Sequence, residues 1–296
     1  MINVACYGEV LWDIFPTHKK IGGAPLNVAI RLQSFNNNVS IISRIGADKK
    51  GKKILKFFKE NGVNTEGIQI DEFYKTGKVK VMLNEKGSAS YDISFPRAWD
   101  KIEHTDIVES IAKKSDAFIF GSLIARDDSS RDTLYKLLEV ARYKIFDVNL
   151  REPYYTIEVL QKLMHQADFI KFNDDEIFEI TEDLNSGSKS LEQNILFIAK
   201  ETNTKTICVT KGRHGAILYF NETFYYNSGY KIEVVDTVGA GDSFLASIIN
   251  QLLKDTDPQE ALNFACAVGA IVASSEGANP EITKKDLEKL TYQEEA

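Results

Sequence analysis

The chain has 296 residues, a formal net charge of −7, and 43% hydrophobic against 27% charged residues. A chain of this length can bury about three-quarters of its unfolded surface, so its core needs neither disulfides nor a structural metal, and its composition excludes disorder, collagen and coiled coil. The acidic balance argues against a nucleic-acid partner, which must hold a phosphate backbone.

The apolar run 2–7 reads as a buried strand ending at Gly8-Glu9. Residues 24–35 have helical spacing, with Val28, Ile30, Leu32 and Phe35 apolar. Residues 39–45 are β-branched and read as a strand, and 49–61 as an amphipathic helix stopped by Gly62. The texture then changes. Residues 68–70, 77–83 and 90–95 are short alternating segments, with a turn signal at Asn84-Glu85-Lys86-Gly87. They predict a small antiparallel sheet set into an α/β chain.

From about residue 104 strands and helices alternate. Strands are expected at 117–120, 144–148, 169–172 and 206–210. Helices are expected at 129–141, 157–166, from Asp174, and at 191–200. This rhythm implies βαβ crossovers and a mainly parallel sheet. Residues 216–235 read as hairpin-like strands, and two apolar helices, 240–253 and 258–274, close the chain. No linker or repeat interrupts it, so one α/β domain with a small β appendage is expected. Cys6, Cys208 and Cys266 lie far apart without metal-ligand spacing, which suits a reducing, cytoplasmic setting. No apolar stretch approaches the ~20 residues that span a bilayer. Glu9 and Asp13 break the apolar opening, so no secretory signal is expected.

The sharpest motif is Asp236-Thr237-Val238-Gly239-Ala240-Gly241-Asp242. Two glycines around a small residue lead into an apolar helix. Their backbone can approach a ligand closely, and the first N–H groups of a helix point outward unsatisfied. With the helix dipole they make an anion site. Asp242 falls in the first turn beside it, where a carboxylate can take a proton from an attacking hydroxyl. A second element is Gly22-Gly23-Ala24-Pro25-Leu26-Asn27. It is another glycine turn into a helix, with Asn27 one turn in, and an asparagine offers donor and acceptor together to sugar hydroxyls.

Together these elements resemble the two signatures of the ribokinase family, also called the pfkB carbohydrate kinases, over essentially the whole chain. The resemblance implies a ribokinase-like α/β fold: a mainly parallel central sheet flanked by helices, with a small β-sheet lid. It implies a single domain over 1–296, with the lid formed by about 11–17 and 67–98.

Further positions follow from the resemblance. Asp13 matches the family's sugar-binding acid, and Gly23 and Asn27 its sugar contacts. Asn173-Asp174-Asp175-Glu176 matches its Asn-x-x-Glu element, so Asn173 would border the nucleotide and Glu176 would place magnesium through water. The segment 210–215 resembles its nucleotide loop, which assigns Lys211, Gly212 and Gly215 to ATP. The segment 265–277 resembles the helix bordering the adenine, which assigns Ala267. Asp236 and Val238 would offer oxygens to a potassium ion. Asp242 would be the base, and the backbone of Gly239, Ala240 and Gly241 would stabilise the transferred group.

Within the family, Gly121-Ser122-Leu123, Arg126, the run 130–134 and the run 146–151 resemble the fructokinase branch. They place Asn149 and Arg151 near the sugar or the phosphates. The lid segment Phe95-Pro96-Arg97-Ala98-Trp99 departs from the family's tyrosine-arginine pair, with Arg97 serving the same pocket. The expected activity is ATP- and magnesium-dependent phosphorylation of a primary sugar hydroxyl, fructose first. 2-Keto-3-deoxygluconate, ribose or a nucleoside are alternatives, as is a non-catalytic relative that binds sugar or nucleotide. An exposed apolar lid face with Val79, Val81 and Leu83 would pair two copies into a homodimer.

Overall fold

The opening apolar run becomes β1 (Asn3–Tyr7), whose last four side chains are all buried. That pattern belongs to a parallel strand covered on both faces. The computed structural model describes residues 1–83 and 89–291. In it the chain divides into two units, Met1–Arg142 and Tyr143–Ala296. Each is built on a mainly parallel sheet flanked by helices.

The first unit continues with β2 (Leu11–Ile14), β3 (Lys19–Gly22), α1 (Ala24–Ser34), β4 (Asn38–Gly46), α2 (Lys49–Glu60) and β5 (Ile68–Asp71). Then come β6 (Gly77–Leu83), β7 (Ala89–Ile93), α3 (Asp106–Lys114), β8 (Ala117–Gly121) and α4 (Asp128–Val140). Strands β8, β1, β4 and β5 pair in parallel in that order. Strands β3, β2, β6 and β7 form the separate small sheet.

The small sheet differs from expectation in three ways. β5 pairs with β4 in the larger sheet instead of joining the small one. β3, unread from sequence, pairs with β2. β2 and β6 run parallel, so the small sheet is mixed. The turn signal at residues 84–87 lies outside the described residues, as do the side chains of Val81 and Leu83. Val79 is 4% exposed, so it belongs to the core and not to an open apolar face.

In α2, Gly51, Ile54 and Phe58 are buried, while Lys49, Lys52, Lys53, Lys56 and Lys59 are not. Its start is capped by Asp48, whose Oδ1 accepts from Lys50 and Gly51 N–H at 2.9 Å each and from the Thr76 hydroxyl at 2.8 Å. Asp48 Oδ2 accepts from Thr76 N–H at 3.0 Å. Burial opposes the Asp48 charge, but these donors outweigh it and hold the carboxyl below its ordinary value.

The second unit holds β9 (Lys144–Asp147), α5 (Ile157–Gln166), β10 (Phe169–Asn173), α6 (Asp174–Asp183), α7 (Leu191–Thr202) and β11 (Thr206–Thr210). It continues with β12 (Ala216–Phe220), β13 (Thr223–Asn227), α8 (Ala240–Leu252), α9 (Pro258–Ala273) and α10 (Lys284–Thr291). Strands β9, β10 and β11 are parallel, and β12 and β13 extend them antiparallel. The hairpin ends at Asn227, so 228–239 is a non-strand approach to α8 and not the expected continuation. Among the described residues no helix is long and apolar enough to cross a membrane. Cys6, Cys208 and Cys266 are free and buried.

Candidate active site

In the second unit, positions that the sequence marks as candidates lie where strands end, the usual ligand side of such sheets. β10 runs directly into α6 at Asn173. The Asn173 side-chain oxygen accepts from Glu176 N–H at 2.8 Å, and Glu176 Oε2 accepts from Asn173 N–H at 2.8 Å. This reciprocal cap uses two otherwise orphan donors of the helix start. Glu176 Oε1 accepts from Leu150 N–H at 2.9 Å, tying the segment after β9 to α6. Glu176 is 6% exposed, and burial raises its carboxyl above the ordinary value against the opposing Lys171 charge.

Lys171 is the functional candidate that sequence reading passed over. The β9–β10 register sets it beside Asp147, and its Nζ donates to Asp147 Oδ1 at 2.8 Å. Both side chains are under a tenth exposed. Burial alone would lower the ammonium's proton affinity, but Asp147, Glu176 and Asp242 outweigh it and hold it above the ordinary value. The signal was present in Phe169-Ile170-Lys171-Phe172: a lysine inside a buried strand needs a counter-charge.

The α8 motif has the geometry of an anion site. Gly239 caps α8 with φ 78°, in the left-handed region, and a Cβ there would lie 2.6 Å from the Ala278 Cα. Only glycine fits both demands. Asp242 lies in the first turn and is half-buried. One expectation needs correction. The Ala240 N–H is not free, because it donates to the Thr237 carbonyl at 3.2 Å. The Gly241 N–H has no partner among the described residues, and the open position of Gly241 has Lys171 Nζ as its near neighbour, 3.9 Å from where a Cβ would stand.

Asp236 braces the same loop. Its Oδ1 accepts from Val238 N–H at 3.0 Å and its Oδ2 from Gly277 N–H at 3.3 Å. Val238 is 38% exposed. In the 210–215 segment, Lys211 N–H donates to the Gly215 carbonyl at 2.7 Å, closing a short loop with Gly212 and Gly215 at positive φ. A Cβ on Gly215 would collide with the Asn227 carbonyl oxygen. Ala267 lies within α9 at 1% exposure. Asn149 sits at φ 41°, and Arg151 is exposed, donating to the Leu150 carbonyl at 2.7 Å.

The first unit carries the positions expected to meet a sugar. Asp13 lies in β2 against Gly22, where a Cβ would strike its Oδ2. Gly23 caps α1 with φ 117°, and its carbonyl accepts from Asn27 N–H at 3.0 Å. Asn27 is 5% exposed. Arg97 N–H donates to Asp100 Oδ2 at 2.7 Å, while its Nε is buried without a hydrogen-bond partner among the described residues. Asp100 in turn holds Arg126 Nε at 2.7 Å. The Arg126 guanidinium stacks 3.9 Å from the Trp99 ring and donates to the Ser94 carbonyl at 2.9 Å. Arg126 is therefore a buried brace for the segment 94–100.

Among the described residues no group of three or more His, Cys, Asp or Glu side chains could hold a metal by itself. Magnesium keeps several waters and is held chiefly by substrate phosphates with one or two carboxylates. Each Glu176 oxygen accepts one backbone N–H, which leaves lone pairs to order such waters.

The profile of the pfkB family carbohydrate kinases matches residues 2–285. A relative named probable fructokinase-6, chloroplastic, from Arabidopsis thaliana is 28% identical over 312 residues, covering 96% of this chain and 80% of that protein. An uncharacterised sugar kinase from Pyrococcus horikoshii, solved in complex with ATP, is 28% identical with a TM-score of 0.84, covering 97% of this chain and 99% of that one. The Vibrio cholerae fructokinase, solved with fructose, ADP and calcium, shares the fold at a TM-score of 0.84 and 23% identity, covering 98% of this chain and 99% of that one.

Proposed function

Because the chain belongs to the pfkB family of carbohydrate kinases, we propose that this sugar kinase is a fructokinase, forming fructose 6-phosphate and ADP from fructose and ATP. The observation that carries the chemistry is the α8 start, where a left-handed Gly239 cap places Asp242 in the first turn of a helix whose N-terminus favours anions. Near full-length relatives named fructokinase support the choice of sugar.

In this reading Asp13, Gly23, Asn27 and Arg97 bind the sugar, with Asn149 and Arg151 near the sugar or the phosphates. Lys211, Gly212, Gly215, Asn173 and Ala267 border ATP. Asp242 accepts the proton of the attacking primary hydroxyl. The sugar oxygen forms a bond to the γ-phosphorus as the bond to the β–γ bridging oxygen breaks, and ADP leaves with that electron pair. The Gly239 and Gly241 N–H groups stabilise the charge on the transferred group, where one well-placed donor contributes on the order of 10²–10³ in rate. Glu176 orders magnesium's waters, and the metal supplies charge neutralisation on the phosphates. Asp236 and Val238 offer oxygens to a potassium ion.

The small sheet acts as the lid that keeps water from the transfer, and it pairs two copies into a homodimer. Exposed Met82 on β6 supports that surface, in place of the buried Val79. Free, buried cysteines support a cytoplasmic setting. One observation favours a second substrate: the buried Arg97 Nε, without a hydrogen-bond partner among the described residues, would suit the carboxylate of a sugar acid such as 2-keto-3-deoxygluconate.

The test is ADP release with Mg-ATP and a panel of fructose, ribose, 2-keto-3-deoxygluconate, glucose and adenosine. Turnover of fructose that vanishes in Asp242→Ala is the expected result. Turnover of another member alone replaces the substrate. Undiminished turnover in Asp242→Ala overturns the base.

A further inference from the structure

We propose that Lys171 is a positioning residue for phosphoryl transfer: its buried ammonium balances the carboxylates of Asp147, Glu176 and Asp242, and so keeps Asp242 ionised and ready to take the substrate's proton. The inference rests on the reading of Asp242 as the base.

The geometry is specific. Lys171 lies in mid-β10, its neighbour across the register is Asp147 on β9, and the two are joined at 2.8 Å. On the α8 side its Nζ lies 3.9 Å from where a Cβ of Gly241, the chain neighbour of Asp242, would stand, and the Glu176 and Asp242 charges add to that of Asp147 in holding the ammonium protonated. From β11 the group facing it is the buried thiol of Cys208, which is neutral because burial raises it strongly. The set therefore holds one cation against three carboxylates.

Charge balance makes each member's protonation depend on the others. Without the ammonium, the half-buried Asp242 is left with the buried carboxylates of Asp147 and Glu176 and no balancing cation from Lys171, and like charges favour the protonated form. A protonated Asp242 cannot act as a base. Lys171 Nζ also stands beside the Gly241 position, next to the N–H groups proposed to face the transferred phosphoryl group. It can therefore act on the base without itself accepting the proton. Packing alone does not explain a lysine here, since a methionine of similar length would fill the same strand position at no charge cost.

The experiment is the pH profile of kcat/KM for the active sugar, from pH 5 to 9, in wild type and four variants. Asp242→Asn reports on the base alone. If it keeps activity, the base assignment fails, whatever Lys171 does. Lys171→Met is expected to lower kcat and to move the acidic limb up by about one pH unit or more, one unit being the usual scale of a near charge. Asp147→Asn removes one competing carboxylate and is expected to move the limb down. The paired variant Lys171→Met/Asp147→Asn removes a cation and a carboxylate together. It protects against misfolding of the single variant and is expected to bring the limb back toward wild type. Circular dichroism and melting curves establish that each variant is folded. The ordering Asp147→Asn, wild type, Lys171→Met along the pH axis, with the pair between, supports the proposal. Variants that lose activity by a constant factor with an unmoved limb overturn it and leave Lys171 a structural partner of Asp147.

Discussion

Asn173 and Glu176 answer each other across the first turn of α6, each side chain accepting the other's backbone N–H at 2.8 Å. Glu176 thus has a structural duty besides any role toward magnesium. Replacing Asn173 with alanine removes the cap and is expected to cost about 1 kcal/mol of stability. Asn173→Ser restores most of it, since serine caps comparably. Urea denaturation of both variants checks this. Equal midpoints for Asn173→Ala and wild type would show that the cap contributes nothing.

The two glycines of the α8 loop are expected to respond differently. Gly239→Ala meets a left-handed backbone and the Ala278 backbone at once, so the loop must move. A displaced loop loses donors toward the phosphoryl group, and ADP release should fall by about 10² or more. Gly241 has ordinary φ and open surroundings, so Gly241→Ala should melt within a degree or two of wild type, roughly the reach of a few tenths of a kcal/mol. Two variants with the same melting point and the same activity would contradict this account of the loop.

Much of this was legible from residues alone. The parallel strands read correctly because continuous apolar runs such as 206–210 have no solvent face to encode. Motifs at strand ends and helix starts were visible because caps and glycine turns are local. Pairing was not local. The four residues of β5 carry no mark of whether they add to β4 or to the small sheet, and hydrogen bonding to β4 decided it. α3 and α10 are short, and their few apolar positions repeat too seldom to stand out. In the site, the consumption of the Ala240 N–H by Thr237 could be seen only in three dimensions. Lys171 is the opposite case, since its burial was written into the strand and only its partner was hidden.

The Arg126–Asp100 pair is nearly inaccessible, with side chains 2% and 0% exposed. Burial pushes Asp100 up, and Arg126 opposes that shift. Arg126→Met leaves Asp100 buried and unpaired, for an expected loss of about 3–5 kcal/mol. Arg126→Met/Asp100→Leu should recover part of that loss, because neither charge is then stranded. Denaturation midpoints decide. A double variant less stable than the single one would show that the pair braces the segment 94–100 in a way apolar packing cannot replace.

Asp48 gives a pH signature. Its carboxyl is held below the ordinary value of 3.8, so it is a group with a depressed folded pKa. Its stabilisation is complete above the unfolded value and is lost as pH falls through the folded one. The melting difference between wild type and Asp48→Ala should therefore be largest at neutral pH and shrink below about pH 4. A difference that stays constant from pH 7 to pH 3 would show that the Asp48 charge does not matter to its caps.

The burial of all three native cysteines has a practical consequence. Cys6 and Cys208 are sealed in β1 and β11, where burial keeps their thiols protonated and unreactive. Spectroscopic labels can therefore be placed without first stripping the chain of its own sulfur. Phe73 is 90% exposed, and a dye on Phe73→Cys would report from the surface of the first unit over an otherwise silent background.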